Sequence, residues 1–167
     1  SKGVNAVFMV DERKHDFENV GAVVGDVIKI ENDLTTATTA NGLAPVVHQL
    51  STAVAAADTT VDISAAGAID LLEITATDTG GTLANDVANG TQLLTDIMNT
   101  IAEGITAHAN GAKFYILAYD ADNAYLYYAN AGANAVVLAA EILPIAVIDT
   151  TANIAVGAFV AEDFILG

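Results

Sequence analysis

The chain has 167 residues, 53% of them hydrophobic, with 21 acids against five Lys or Arg and a formal charge of −16. That length supports one sizeable core, the apolar content is too high for a disordered chain, and the acid excess would repel nucleic-acid phosphates and an anionic membrane surface. Cysteine and tryptophan are absent, which removes a disulfide framework, a zinc-thiolate site and a thiol nucleophile.

The charge is uneven. Lys2, Arg13, Lys14 and Lys29 fall in the first thirty residues, and Lys113 alone follows. A surface this acidic repels itself unless cations offset it, and calcium is the natural candidate where carboxylates cluster in loops. Maintaining solubility is the plainer use of the same acids. No uninterrupted apolar run reaches the roughly 18–20 residues that span a bilayer, so no membrane insertion is expected. The chain begins with Ser and shows no basic-flanked apolar leader, so the expectation is a processed product or one exported through another signal.

In chain order, "GVNAVFMVDE" predicts a strand from Val4 to Val10, rich in β-branched and aromatic residues. Gly25 and Asp26 mark a turn, and "DVIKIE" alternates Val27, Lys29 and Glu31 against Ile28 and Ile30, a strand with one apolar face. "TTATTANG" is a polar loop, after which Pro45 could open a helix over about 45–56 carrying Val46, Val47, Leu50 and Val54. The same residues also suit an irregular or strand segment. Strands follow at Thr60–Ile63 and Ile69–Thr77, then Gly80 and Gly81 punctuate. From about 91 to 103, Leu93, Leu94, Ile97, Met98 and Ile101 form one stripe, with Thr91 as cap and Gly104 at the end, which predicts an amphipathic helix.

Beyond it the chain turns β again. "KFYILAY" and "NAYLYYA" flank turn residues 120–123 and predict a hairpin. Pairing across that turn sets Tyr119 beside Ala124, Leu117 beside Leu126 and Tyr115 beside Tyr128 on one face, with Ala118–Tyr125 and Ile116–Tyr127 on the other. All five tyrosines lie here and fall on both faces, as expected of a sheet covered twice, once by its own core and once by another element or subunit. A packing surface is the favoured use and a ligand platform the alternative. "EILPIAVIDT" and "NIAVGAFVAEDFILG" supply the last strands, with Pro144 expected at a strand start or sheet edge.

The fold expected is therefore mainly β, a single-domain β-sandwich or β-roll-like structure over 1–167. A subdivision into 1–80 and 81–167 is the alternative organisation.

No reaction centre emerges, and no enzyme is expected. Ser1, Ser51 and Ser64 lie outside any Gly-x-Ser-x-Gly elbow, and His15, His48 and His108 are far apart and outside metal-ligand spacing. Carboxylate pairs are abundant, but the aromatic platforms and cationic partners of a sugar-cleaving site are scarce. Calcium fits better: "DERKHDFEN" offers Asp11, Glu12, Asp16, Glu18 and Asn19, and "DADN" offers Asp120, Asp122 and Asn123. Neither matches an EF-hand loop or a glycine-rich nonapeptide, and Asp and Asn also favour turns for conformational reasons.

"HDFENVGAVVGDVIKIEND", through Asp16, Phe17, Asp26, Ile28 and Ile30, resembles the segment that follows calcium-binding repeats in RTX-type bacterial proteins exported by type I secretion. "GTQLLTDI", the tyrosine segment, "AAEILPIAVI" and "AEDFILG" are similar to the C-terminal regions of such proteins, including surface-layer and adhesin-like ones. The nonapeptide repeats are missing. The resemblance implies an extracellular or cell-surface bacterial protein whose end, Asp163, Phe164, Ile165 and Leu166, serves as an uncleaved secretion signal. It carries over no catalytic residue.

The function expected is a structural protein that assembles with copies of itself into a filament, sheath or surface layer. Its contacts are expected from Val7, Phe8, Val10, Tyr115, Tyr119, Tyr125, Tyr127 and Tyr128. The alternative is a monomeric calcium-dependent adhesin or carbohydrate-binding module holding a surface glycan.

Overall fold

The computed structural model describes residues 7–10, 15–18, 27–30, 45–50, 61–75, 90–91, 93–94, 104–119, 123–149, 156–159 and 161–166. It is mainly β. The strands are β1 (Val7–Val10), β2 (His15–Glu18), β3 (Val27–Ile30), β4 (Val47–Leu50), β5 (Val61–Asp62), β6 (Leu71–Ile74), β7 (Ile105–Thr106), β8 (Lys113–Tyr119), β9 (Ala124–Asn130), β10 (Val136–Val137), β11 (Ile142–Asp149) and β12 (Phe164–Leu166). Single 3-10 turns occupy Ser64–Ala66, Ala139–Glu141 and Ala161–Asp163.

A six-stranded mixed sheet in the order β2-β11-β9-β8-β6-β4 forms the centre. It draws β2, β4 and β6 from the first eighty residues and β8, β9 and β11 from the rest. A three-stranded mixed sheet, β10-β7-β5, and a three-stranded parallel sheet, β1-β3-β12, complete the set. The β8–β9 hairpin has the register expected from the sequence, with Tyr115 opposite Tyr128, Ile116 opposite Tyr127 and Tyr119 opposite Ala124.

Both faces of the central sheet are covered. Leu72, Ile74, Phe114, Ile116, Tyr127 and Ile142 pack on one side with Val61, Ile105 and Val137 of the small mixed sheet and with Leu93 and Leu94. On the other side Leu71, Tyr115, Leu117, Tyr119, Leu126, Ile145 and Ile148 pack with Phe159 and Phe164. A sheet buried twice needs apolar residues at successive positions rather than at alternate ones, which is why β8 reads "FYILAY" without a polar break.

Two helical expectations are corrected. Of the helix expected over about 45–56, residues 45–50 form none, because Pro45 precedes a strand and β4 pairs parallel with β6 from Val47–Leu71 to Leu50–Ile74; residues 51–56 lie outside the described residues. The pairing satisfies backbone groups that a short isolated helix would leave to water, and the β-branched pair Val46–Val47 suits an extended chain. The amphipathic helix over 91–103 is not seen, and no helix of seven or more residues occurs among the described residues. Residues 90, 91, 93 and 94 have helical backbone, and 95–103 lie outside the described residues. Leu93 and Leu94, two residues of the expected stripe, are buried.

Pro144 lies inside β11, next to a register shift between Pro144 and Ala146 against β9. Pairing with β2 begins only at Ala146. The missing N–H thus falls where β11 has one described neighbour, as proline requires.

Candidate functional site

Two acids are buried in the central sheet, Asp70 and Glu73. They stand in "IDLLEIT", acids inside an otherwise apolar run. That contrast is the sequence signal for a buried polar group, and it lies apart from the histidines, serines and loop carboxylates singled out above.

Asp70 fastens the start of β4. Its Oδ2 accepts the Val46 N–H at 2.8 Å, and its own N–H donates to the Val46 carbonyl at 2.9 Å. Glu73 joins three strands. Its Oε1 accepts the Tyr119 hydroxyl of β8 at 2.6 Å, and its Oε2 accepts Nε2 of Gln49 on β4 at 3.0 Å. Each carboxylate oxygen therefore has a donor, which is the condition for keeping an acid in an apolar layer. Gln49 is exposed at the sheet's edge while Tyr119 is fully buried, so the group runs from solvent into the core.

Tyr119 lies against Phe159, ring centroids 6.4 Å apart and nearly parallel, and Phe159 packs on Phe164 at 5.7 Å. Burial, then the hydrogen bond to Glu73 and that carboxylate's charge, push the phenol well above the usual tyrosine range; a backbone hydrogen bond with Phe159 works the other way. The hydroxyl keeps its proton and acts as a donor. The arrangement is a structural fastening of β4, β6 and β8 beneath the C-terminal segment.

A raised folded-state value for a phenol means that its contribution to stability is present below the unfolded value near 10 and is lost as pH climbs above it. Tyr119→Phe is expected to cost about 1.5–3 kcal/mol by removing a hydrogen bond to a carboxylate. It should also make the loss of stability above about pH 10 shallower. Denaturant unfolding of both chains from neutral to alkaline pH checks both effects, and parallel alkaline limbs would contradict the assignment.

The expected contact tyrosines are distributed differently from the expectation. Tyr115, Tyr119 and Tyr127 are buried in the chain's own interior, so they are not available to a neighbouring subunit. Tyr125 and Tyr128 are half-buried. Tyr128 tilts against Tyr115 at 5.7 Å, and the Tyr125 hydroxyl accepts Asn123 Nδ2 at 3.4 Å. Val7, Phe8 and Val10 lie on β1, which pairs parallel with β3 within the same chain.

Among the expected calcium ligands, Asp16 and Glu18 lie on β2 opposite Val147 and Asp149. Asp11, Glu12, Asp120 and Asp122 lie outside the described residues. Among the described residues no group of three or more His, Cys, Asp or Glu side chains lies together. Asp163 ends a 3-10 turn and Phe164 is buried. Phe164 and Leu166 of β12 pair with Ile28 and Ile30 of β3, so the structure brings together the two passages that carry the RTX resemblance.

One apolar row crosses the face that holds Glu73. Leu143, Tyr128, Tyr115, Leu71 and Val47 stand side by side through successive strand pairings. Its centre is buried, but Leu143 is 51% exposed and Val47 is half-buried at the edge.

No protein-family model, curated protein or solved structure matches this chain. Among the described residues no helix is long and apolar enough to cross a membrane.

Proposed function

We propose that this chain is the subunit of an extracellular bacterial assembly, a β-sandwich that associates with copies of itself into a filament, sheath or surface layer rather than catalysing a reaction. The observation that carries the reading is the apolar row that leaves the core and ends in exposed Leu143 on a chain of charge −16. A row of apolar side chains that runs from the core to the surface favours burial against another apolar surface, and a second copy of the chain offers one. The resemblance to RTX-type secreted proteins supports the location.

Calcium enters through charge. After residue 30 the chain has sixteen acids and one lysine, so subunits in contact repel unless cations or salt screen them. Negative-stain micrographs of purified protein, with calcium and with chelator, test the reading. Polymers are expected with calcium, and they should shorten or disperse in chelator, most strongly at low ionic strength. Protein that stays monomeric in both, and that binds glycans, would replace this account with the adhesin.

A further inference from the structure

We propose that the two edges of the central sheet join between copies of the chain, the outer side of β4 in one subunit pairing parallel with the outer side of β2 in the next. This rests on the self-assembly proposed above and names the surface that carries it.

Strand direction supports the pairing. β2 runs parallel to β11, β11 antiparallel to β9, and β9 antiparallel to β8; β8, β6 and β4 are parallel. The two edge strands therefore point the same way. Subunits in one orientation, displaced along the sheet and rotated by its twist, bring β4 of one against β2 of the next as a parallel pair. Such a contact uses two different surfaces, leaves one β4 and one β2 open at the ends, and so generates an open polymer rather than a closed dimer.

The backbone of β4 is ready for it. The carbonyls of Val46 and Leu50 accept hydrogen bonds from Asp70, Leu71 and Thr75, so residues 46, 48 and 50 turn their backbone groups towards β6. Because the pattern repeats every two residues, the N–H and C=O of Val47 and Gln49 point outward. Among the described residues no strand pairs on that side, and Gln49 is exposed. Asp70 and Glu73 hold the strand in place through Val46 and Gln49, so the edge is already formed before a partner arrives. A formed edge loses less conformational freedom on binding.

Charge selects the partner. Residues 34–57, which contain β4, include no Asp, Glu, Lys or Arg, whereas β2 carries Asp16 and Glu18. Two β2 edges would set carboxylates against carboxylates, at a cost on adjacent strands. A β4 edge offers none, and its one ionisable side chain is His48. The outer strands of the parallel sheet, β1 and β12, also run the same way, but acids flank both of them, Asp11 and Glu12 after one and Glu162 and Asp163 before the other, whereas residues 34–57 around β4 contain none.

Proline at position 47 removes an outward N–H and leaves the bonds to β6 intact. Val47→Pro is expected to abolish polymers while Val47→Ala, which keeps the N–H, still forms them. Because Val47→Pro keeps its β2 edge, a small fraction mixed into the parent should cap growing ends and shorten the polymers. Hydrogen exchange on the unmodified chain gives a second reading that needs no variant: the Val47 and Gln49 amides should exchange in free subunits and gain protection on assembly, while His48 and Leu50 are protected in both. Polymers formed equally well by Val47→Pro, or Val47 and Gln49 amides that exchange alike in subunit and polymer, would overturn the edge pairing and leave self-assembly standing. A parent chain that never assembles would overturn both.

Discussion

Tyr127→Ala is expected to destabilise the chain by about 3–5 kcal/mol, the range for removing a large buried ring. Tyr127 is fully buried in the core between the central sheet and the small mixed sheet. It stands opposite Ile116 of β8 and Pro144 of β11, so three strands lose packing at once and none can close the gap without moving the others. Tyr127→Phe keeps the ring and loses only the hydroxyl, at a cost of about 0.5–1.5 kcal/mol. In thermal unfolding the alanine variant should melt on the order of 10 °C below the parent and the phenylalanine variant close to it. An alanine variant that melts like the parent would show that the hairpin's rings do not hold the core.

Gly104→Ala should be comparably damaging for a different reason. Gly104 leads directly into β7 with φ of 80°, a conformation that costs other residues about 1–2 kcal/mol. A methyl group there would also run into the Val137 carbonyl on β10, where β10 pairs with β7, and overpacking of this kind adds about 1–3 kcal/mol. Gly157 is the natural control, with φ of 73° and only an ordinary contact, Thr75 Cγ2 at 3.5 Å, where a Cβ would stand. Gly157→Ala should show the backbone cost with little steric addition. Equal stability losses for the two variants, measured by denaturant unfolding, would contradict the close approach at Gly104.

The central hairpin was legible because its signals agreed. Alternating partners, aromatic and β-branched residues and an Asp/Asn turn all specify one register, and rings on both faces specify a sheet covered twice. β2 was illegible for the opposite reason: "HDFE" is mostly polar and forms a strand only by pairing with β11. β4 was ambiguous because Val46, Val47 and Leu50 satisfy a helical stripe as well as a strand, and parallel pairing with β6, distant in sequence, decides between them. The fastening through Glu73 was half visible. An acid in an apolar run marks a buried polar group, but its donors, Tyr119 and Gln49, lie 46 and 24 residues away, a distance no local pattern spans.

Self-association is the claim on which the functional account depends, and sedimentation velocity over a concentration series in calcium-containing buffer tests it most directly. The account predicts a broad distribution of large species that grows with concentration, since a head-to-tail contact does not close. A single sharp boundary at the monomer's mass across the whole series would contradict it.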